Sequence, residues 1–371
     1  MNILFAPLRR ALLKLFNFSF NSSLFWVSLG KFFRILSVQN SSELCKVKRA
    51  KVLWEEAERR GIYMEELLLF KKPFDVYVAK KNTTIVFSGL PRPKNISKEA
   101  LDSMDDKGLL KVKLQANGLP VPAGRSVWNF IQAKKIFRAI TTGSNKYVII
   151  KPRAGSRGRH STTFISTESS LKHAYKVAKQ LCFWVMVEEQ IMGPVYRATV
   201  INYELCGVLK GEPPQVEGDG VLNLKELLIR KNHGRPAGVE EIKNFSEVEC
   251  FVKKTLELKS GQVWNFVPKK GQVVILSEKI GVAYGGSSAE EINVCHPENK
   301  ELFVKAARVV NDPIVGFDFI IPDITKSWKD QVCGFLEANS LPFIHLHHQP
   351  LQGPKQNVAA KVWDMMENIK N

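Results

Sequence analysis

Residues Val315 to Pro350 read VGFDFIIPDITKSWKDQVCGFLEANSLPFIHLHHQP, and the fold is decided here. The stretch predicts two apolar strands joined by a polar loop, each with acidic groups where a buried strand should have none. Asp318 interrupts Gly316-Phe317-Phe319-Ile320-Ile321, and Val332-Cys333-Gly334-Phe335-Leu336 runs into Glu337 and Asn339. Side chains alternate along a strand, so Glu337 and Asn339 point to the same side. A lone carboxylate in such a run is costly to desolvate unless something positive meets it. Three oxygen-bearing side chains converging from adjacent strands would suit Mg²⁺, which takes a few carboxylate or amide oxygens plus substrate phosphates. Taken alone, the stretch is equally compatible with two strand-end carboxylates facing water.

The chain has 371 residues, enough for two or three sub-domains around a real core. Its six cysteines (Cys45, Cys182, Cys206, Cys250, Cys295, Cys333) form no CxxC pair. That pattern favours reduced thiols in a cytoplasmic enzyme over a disulfide framework or a zinc site. The net charge of +18 is uneven: residues 1–113 hold 21 Lys/Arg against 11 Asp/Glu, so under a third of the chain carries over half of the excess. An anionic partner follows, whether nucleotide, acidic metabolite or peptide, nucleic acid or membrane surface, and charge alone does not choose.

At the N-terminus, Arg9, Arg10, Lys14, Lys31 and Arg34 break a Phe- and Leu-rich segment. The uncharged window between Lys14 and Lys31 is too short and polar for a spanning helix, and no small-residue cleavage site follows an apolar core. Phe25, Leu29, Phe32, Phe33 and Leu36 are predicted on one helical face, with Lys31 and Arg34 opposite. That face could lie on an anionic membrane; packing on its own domain is the expected outcome. A charged helix (Lys46 to Arg60) and two short strands (Val76-Tyr77-Val78 and Thr84-Ile85-Val86-Phe87) then precede a Gly89-Leu90-Pro91-Arg92-Pro93 boundary.

Further on, a helix opened by Asp105-Asp106-Lys107 ends at Gly118-Leu119-Pro120-Val121-Pro122-Ala123-Gly124. After a second helix (Trp128 to Ile140), the strand Tyr147-Val148-Ile149-Ile150-Lys151 leads into Pro152-Arg153-Ala154-Gly155-Ser156-Arg157-Gly158-Arg159. Glycines let backbone N–H groups turn inward and cations neutralise phosphates, so this loop is a candidate phosphate cradle. It is not a Walker loop, since no GK[ST] follows. A basic hairpin turn in solvent fits it as well. Arg197 is a further charge in an apolar strand, Tyr196-Arg197-Ala198-Thr199-Val200-Ile201.

The order of these signals resembles the ATP-grasp superfamily, above all the ATP-grasp module of the cyanophycin synthetases, neighbours of the D-alanine–D-alanine ligases. The resemblance spans residues 101–368. It rests on Lys107 before GLPVPAG, Lys151 before the glycine loop, VEEQIMGPVYRATVI, PPQVEGDGVLNLKELL (213–228), Ala283 to Ser288, Ile292 to Asn299 and FLEANSLP. It implies an α/β fold with a lid lobe carrying the glycine loop (101–187) and a C-terminal lobe with the metal site (188–371), the two α+β lobes clasping ATP, behind the small N-terminal α/β lobe (1–100) read from the helix and strands above. By resemblance, Lys107 and Lys151 hold the phosphates while the loop Ala154, Gly155, Ser156, Arg157 and Gly158 closes over them. Glu188, Glu189, Gln190 and Ile191 form the adenine hinge. Asp318, Glu337 and Asn339 match the Mg²⁺ ligands, and Arg197 a group facing the phosphate or acyl-phosphate. Lys210 is assigned a phosphate or carboxylate contact, and Gly285 and Gly286 the substrate side. The implied chemistry is ATP-dependent joining of a carboxylate to an amine through an acyl phosphate, by positioning and charge spreading. Implied partners are anionic small-molecule or peptide substrates; a homodimer is compatible with the family, and nucleic acid is not favoured.

Three departures narrow the reading. The hinge position usually occupied by a ribose-binding acid is Val195, and the residues before Asp318 are Gly316-Phe317, where D-alanine ligases have an arginine. Cyanophycin synthetases continue into a second, Mur-ligase-like half, whereas this sequence ends at Asn371, so cyanophycin itself is not implied. His345 and His347 would share one side of a strand and are expected as substrate-pocket groups or plain hydrogen-bonded structure, rather than zinc ligands. The competing class is a polyanion-binding protein (nucleic acid or membrane surface) with a degenerate ATP site.

Overall fold

The computed structural model describes residues 20–93, 104, 106–143, 146–154, 160–235, 241–259, 261–277 and 279–368. At the N-terminus, α1 (Phe20–Phe32) and α2 (Lys48–Arg59) flank an antiparallel sheet in the order β1 (Leu36–Gln39), β2 (Tyr63–Leu69), β3 (Lys72–Lys80) and β4 (Thr84–Ser88). α2 buries Val52, Leu53, Trp54 and Ala57 on one stripe, as an amphipathic helix against a sheet must.

The expected apolar face of α1 is not what packs. The helix stops at Phe32 because Arg34 takes a left-handed conformation (φ 56°). Ile35 N–H then donates to Gly30 O and Arg34 N–H to Lys31 O, the paired bonds of a Schellman cap. Leu36 therefore enters β1. Val27 buries with Leu36, Leu67, Leu69, Phe74, Val76 and Val78, leaving Phe32 79% exposed and Phe25 and Phe33 also outside.

The middle of the chain contributes α3 (Lys107–Ala116), β5 (Gly124–Val127), α4 (Phe130–Thr141), β6 (Val148–Pro152), β7 (Thr162–Ile165), α5 (Glu168–Lys179) and β8 (Val185–Glu189). Its sheet runs β5-β8-β6-β7. Val148, Ile150, Val185 and Val187 face α4 and α5 in one apolar core. By alternation, Lys151, Met186 and Glu188 occupy the other face.

The last part adds β9 (Val195–Ile201), β10 (Glu204–Glu212), β11 (Gln215–Glu217), α6 (Leu224–His233), α7 (Phe245–Thr255), β12 (Val273–Ile275), β13 (Ser287–Glu290), α8 (Pro297–Val310), β14 (Ile314–Ile320), β15 (Gly334–Asn339), the single turn α9 (His345–His348) and α10 (Val358–Glu367). The central antiparallel sheet is ordered β13-β10-β9-β14-β15. Its Phe319 and Phe335 stack edgewise on Phe303 of α8, Phe317 packs edgewise on Phe335, and Leu110 and Leu114 of α3 join the same core. So α3 packs with the central sheet rather than with the lid sheet that follows it. β11, β12, α6 and α7 make a separate small core around Leu224, Leu228 and Val252. The chain closes where α10 packs on α2: Trp363 Nε1 donates to Leu53 O at 2.9 Å.

Candidate active site

Strand register brings the central group together. Asp318 on β14 lies opposite Arg197 on β9 and Glu337 on β15, and Gly316 lies opposite Asn339. A bulge between Asp318 and Phe319 lets the pairing skip Leu336, the kind of irregularity that re-aims side chains. Arg197, Asp318, Glu337 and Asn339 thus share one face of the sheet. Arg197 Nε and Nη2 each donate to an Asp318 oxygen at 2.8 Å. Lys107 Nζ stands 3.3 Å from Glu337 Oε2, and Asn339 Nδ2 is 3.4 Å from Glu337 Oε1. Phe343 lies under the Arg197 guanidinium, 5.2 Å from ring centroid to Cζ.

Burial raises the Asp318 carboxyl to about 7 against the pull of Arg197, with the adjacent Glu337 charge pushing the same way. For Glu337 burial also opposes ionisation, but Lys107, the Asp318 hydrogen bond and Arg197 hold it below the usual carboxylate range. Two crowded carboxylates and an amide are a hard-oxygen donor set with unused acceptor capacity, and this fits Mg²⁺. No group of three or more His, Cys, Asp or Glu able to hold a metal occurs among the described residues.

A second cluster lies on the polar face of the lid sheet. Glu188, 3% exposed, is gripped on both oxygens: Lys111 Nζ at 2.7 Å from Oε1 and Lys151 Nζ at 2.6 Å from Oε2. Burial works against the Glu188 charge, yet Lys151 and Lys111 keep its carboxyl below the ordinary range. Burial in turn lowers the Lys111 ammonium, which Glu188 only partly offsets. The two clusters meet through α3, since Lys107 and Lys111 are four residues apart on one helical face. The start of α3 is fixed by Asp106, which accepts from Gly108 N and Leu109 N as N-cap and pairs with Arg153 Nε at 2.7 Å. Lys107 N–H donates to Arg153 O, and Ala154 bridges to Asp106. The root of the glycine loop is thereby tied to the lysine helix; Gly155, Ser156, Arg157 and Gly158 lie outside the described residues.

Other expected site residues sit differently. The Glu188 side chain points into the ion pairs with Lys111 and Lys151. Glu189 Oε1 accepts from Ala123 N, Gln190 N–H donates to Tyr147 O, and Ile191 is buried. Lys210 pairs in register with Tyr196, itself opposite Phe319, which puts it on the sheet face away from Asp318. Its nearest acids are Glu212 (3.5 Å) and Glu291 (3.9 Å), so it does not join the group. Gly285 and Gly286 are buried where a strap crosses β10. A Cβ on Gly286 would fall 2.1 Å from Glu212 O, and Arg235 donates to both glycine carbonyls.

The strand expected for the histidines is the one-turn helix α9, so His345 and His347 do not alternate as strand partners. His347 is fully buried: Nδ1 is 2.6 Å from Glu290 Oε2 and Nε2 is 2.8 Å from Thr199 Oγ1. It is a hydrogen-bonded structural group. The sequence reading missed Lys111, although its spacing from Lys107 was a usable signal, and it missed Asp106 as the anchor of Arg153.

No protein-family profile matches the chain. It is 30% identical over 275 residues to the glutathione biosynthesis bifunctional protein GshAB of Clostridium perfringens, covering 71% of this chain and 34% of that protein. It is 31% identical over 271 residues to the cyanophycin synthetase of Crocosphaera subtropica, covering 72% and 31% respectively. The chain thus spans about a third of the length of these curated relatives. Among solved structures, a bifunctional glutathione synthetase from Pasteurella multocida shares the fold with a TM-score of 0.63 at 24% identity, over 86% of this chain and 43% of that one. Nothing in these likenesses supports a polyanion-binding protein with a decayed ATP site. Sequence likeness and shared fold agree with the lysine and carboxylate order: the chain is a member of the ATP-grasp superfamily, related to its ligases.

Proposed function

We propose that this chain is an ATP-dependent carboxylate–amine ligase acting on an amino-acid or peptide substrate. The observation that carries the reading is the single row of Arg197, Asp318 and Glu337 across three strands, with Lys107 reaching it from α3. Asp318, Glu337 and Asn339 would hold Mg²⁺, which when bound would neutralise phosphate charge. Lys107 and Lys151 bind and orient the nucleotide phosphates, and Arg197 stabilises the negative charge that develops as the phosphoryl group moves. In the overall reaction a substrate carboxylate oxygen bonds to the γ-phosphorus as the bond to ADP breaks. The amine nitrogen then attacks the acyl carbon, phosphate leaves and the nitrogen loses a proton. No protein nucleophile is needed. The basic surplus supports an acidic substrate, and six free cysteines support a reducing, cytoplasmic setting.

The test is a screen of amino acids and short peptides for ADP release, followed by product mass. The reading predicts ADP only when a carboxylate and an amine are both supplied, and a hydroxamate when hydroxylamine replaces the amine. Phosphate retained on an acceptor, or no substrate-dependent ADP, would remove it.

A further inference from the structure

Among the described residues, the buried cluster of Lys111, Lys151 and Glu188 has a charge imbalance that the other ion pairs of the site lack. Arg197 is answered by Asp318, Lys107 by Glu337 and Arg153 by Asp106. Lys111 and Lys151 share the carboxylate of Glu188 at ion-pair distance, with Glu189 acting on Lys111 only as a weaker charge, so a surplus of positive charge remains where all three side chains are more than nine-tenths buried. An uncompensated charge in such a place is costly, and an incoming anion relieves it.

For Lys151 to engage a phosphate it must loosen its hold on Glu188, a carboxylate only 2.6 Å away that competes for the same ammonium. Lys111 bears on that competition. It occupies the other oxygen of Glu188, and its helix cannot follow a moving partner. Leu110 and Leu114 anchor α3 in the central core, and Asp106 ties its first turn to Arg153. We propose that Lys111 is a positioning residue: by neutralising Glu188 from a fixed helix, it leaves the charge of Lys151 available to a nucleotide phosphate. The Glu188 side chain is then a counter-ion for two lysines. The inference rests on the ligase reading only in taking a nucleotide as the anion.

The experiment is calorimetric titration of the full chain with Mg-ADP and with a non-hydrolysable Mg-ATP analogue, which requires no knowledge of the acid or the amine. Lys111→Met leaves Lys151 in a neutral pair with Glu188, and affinity falls by about tenfold or more. The double variant Lys111→Met/Glu188→Gln restores the surplus on Lys151 and brings affinity back to within about threefold of wild type, the non-additivity expected of directly coupled groups. Lys111→Arg, which keeps the charge, stays within about threefold. A purely structural lysine predicts the reverse for the double variant, because two buried partners have then been lost. If Lys111→Met does not fold, Glu188→Gln alone decides: it raises the surplus to two charges and tightens binding. Wild-type affinity in Lys111→Met, a double variant as weak as the single, or weakened binding in Glu188→Gln would each overturn the inference and leave the ligase reading standing. A wild-type chain that binds no magnesium nucleotide would overturn both.

Discussion

Glu290 and Glu337 lie at the two edges of the same sheet, on the same face, yet one is sealed and the other open. Glu290 on β13 is 3% exposed, and its oxygens take Val208 N–H at 2.7 Å and His347 Nδ1 at 2.6 Å, with Thr199 on the far side of the ring. Glu337 on β15 keeps 29% of its side chain exposed; besides its hydrogen bond with Asp318, its neighbours Lys107 and Asn339 stand back at 3.3 and 3.4 Å. A buried carboxylate whose two oxygens are both held by short hydrogen bonds is a brace. One that is charged, crowded by a second acid and only loosely partnered can still accept a ligand. Burial alone does not separate structure from function here; the number and length of the remaining contacts do.

That contrast is open to attack by substitution. The largest expected effect is Glu337→Gln, which should cut turnover by roughly a thousandfold or more with the fold intact, the scale of losing a group aimed at developing charge. Unchanged turnover in a steady-state assay would move Glu337 out of the site. Next is Glu290→Ala, which strands the Val208 N–H and the His347 ring and should cost about 3 kcal/mol by urea denaturation. A shift below about 0.5 kcal/mol would mean the brace is not one. Gly207→Ala is milder and more local. Its Cβ would stand 2.3 Å from His347 Nδ1, so an overpacking loss of about 1–3 kcal/mol is expected in the same assay.

The smallest effect is one of pH. Burial, with His347 and Arg59 nearby, pushes the His348 ring down to about 4, and its neutral Nε2 accepts from Ala359 N at 3.0 Å. A depressed folded value means the unfolded chain takes up the proton first. The contribution is therefore complete above about 6.5 and is lost as pH falls from there through about 4. His348→Gln should flatten that segment of a stability-versus-pH curve; a parallel curve would show that another group titrates there.

Much of the site was legible and its wiring was not. Apolar alternation around Asp318 and Glu337 marked two strands and a shared face, and the lysine before GLPVPAG marked α3. The register that sets Asp318 between Arg197 and Glu337 depends on a bulge at Leu336, and no local pattern encodes one. Lys210 looked equivalent to the other cations, but one residue of register turns it to the opposite face. For His347 the sequence left pocket group and hydrogen-bonded structure both open, because its partners, Thr199 and Glu290, are distant in sequence. The face of α1 was misjudged for a local reason: Arg34 holds a left-handed cap usually given to glycine, which cuts the helix short before Leu36.

A crystal structure of the chain with Mg²⁺ and a non-hydrolysable ATP analogue tests the central claim most directly. It should show the metal about 2.1 Å from oxygens of Asp318, Glu337 and Asn339, with phosphates on Lys107 and Lys151. A nucleotide bound elsewhere, or a metal touching none of those three side chains, would contradict the account.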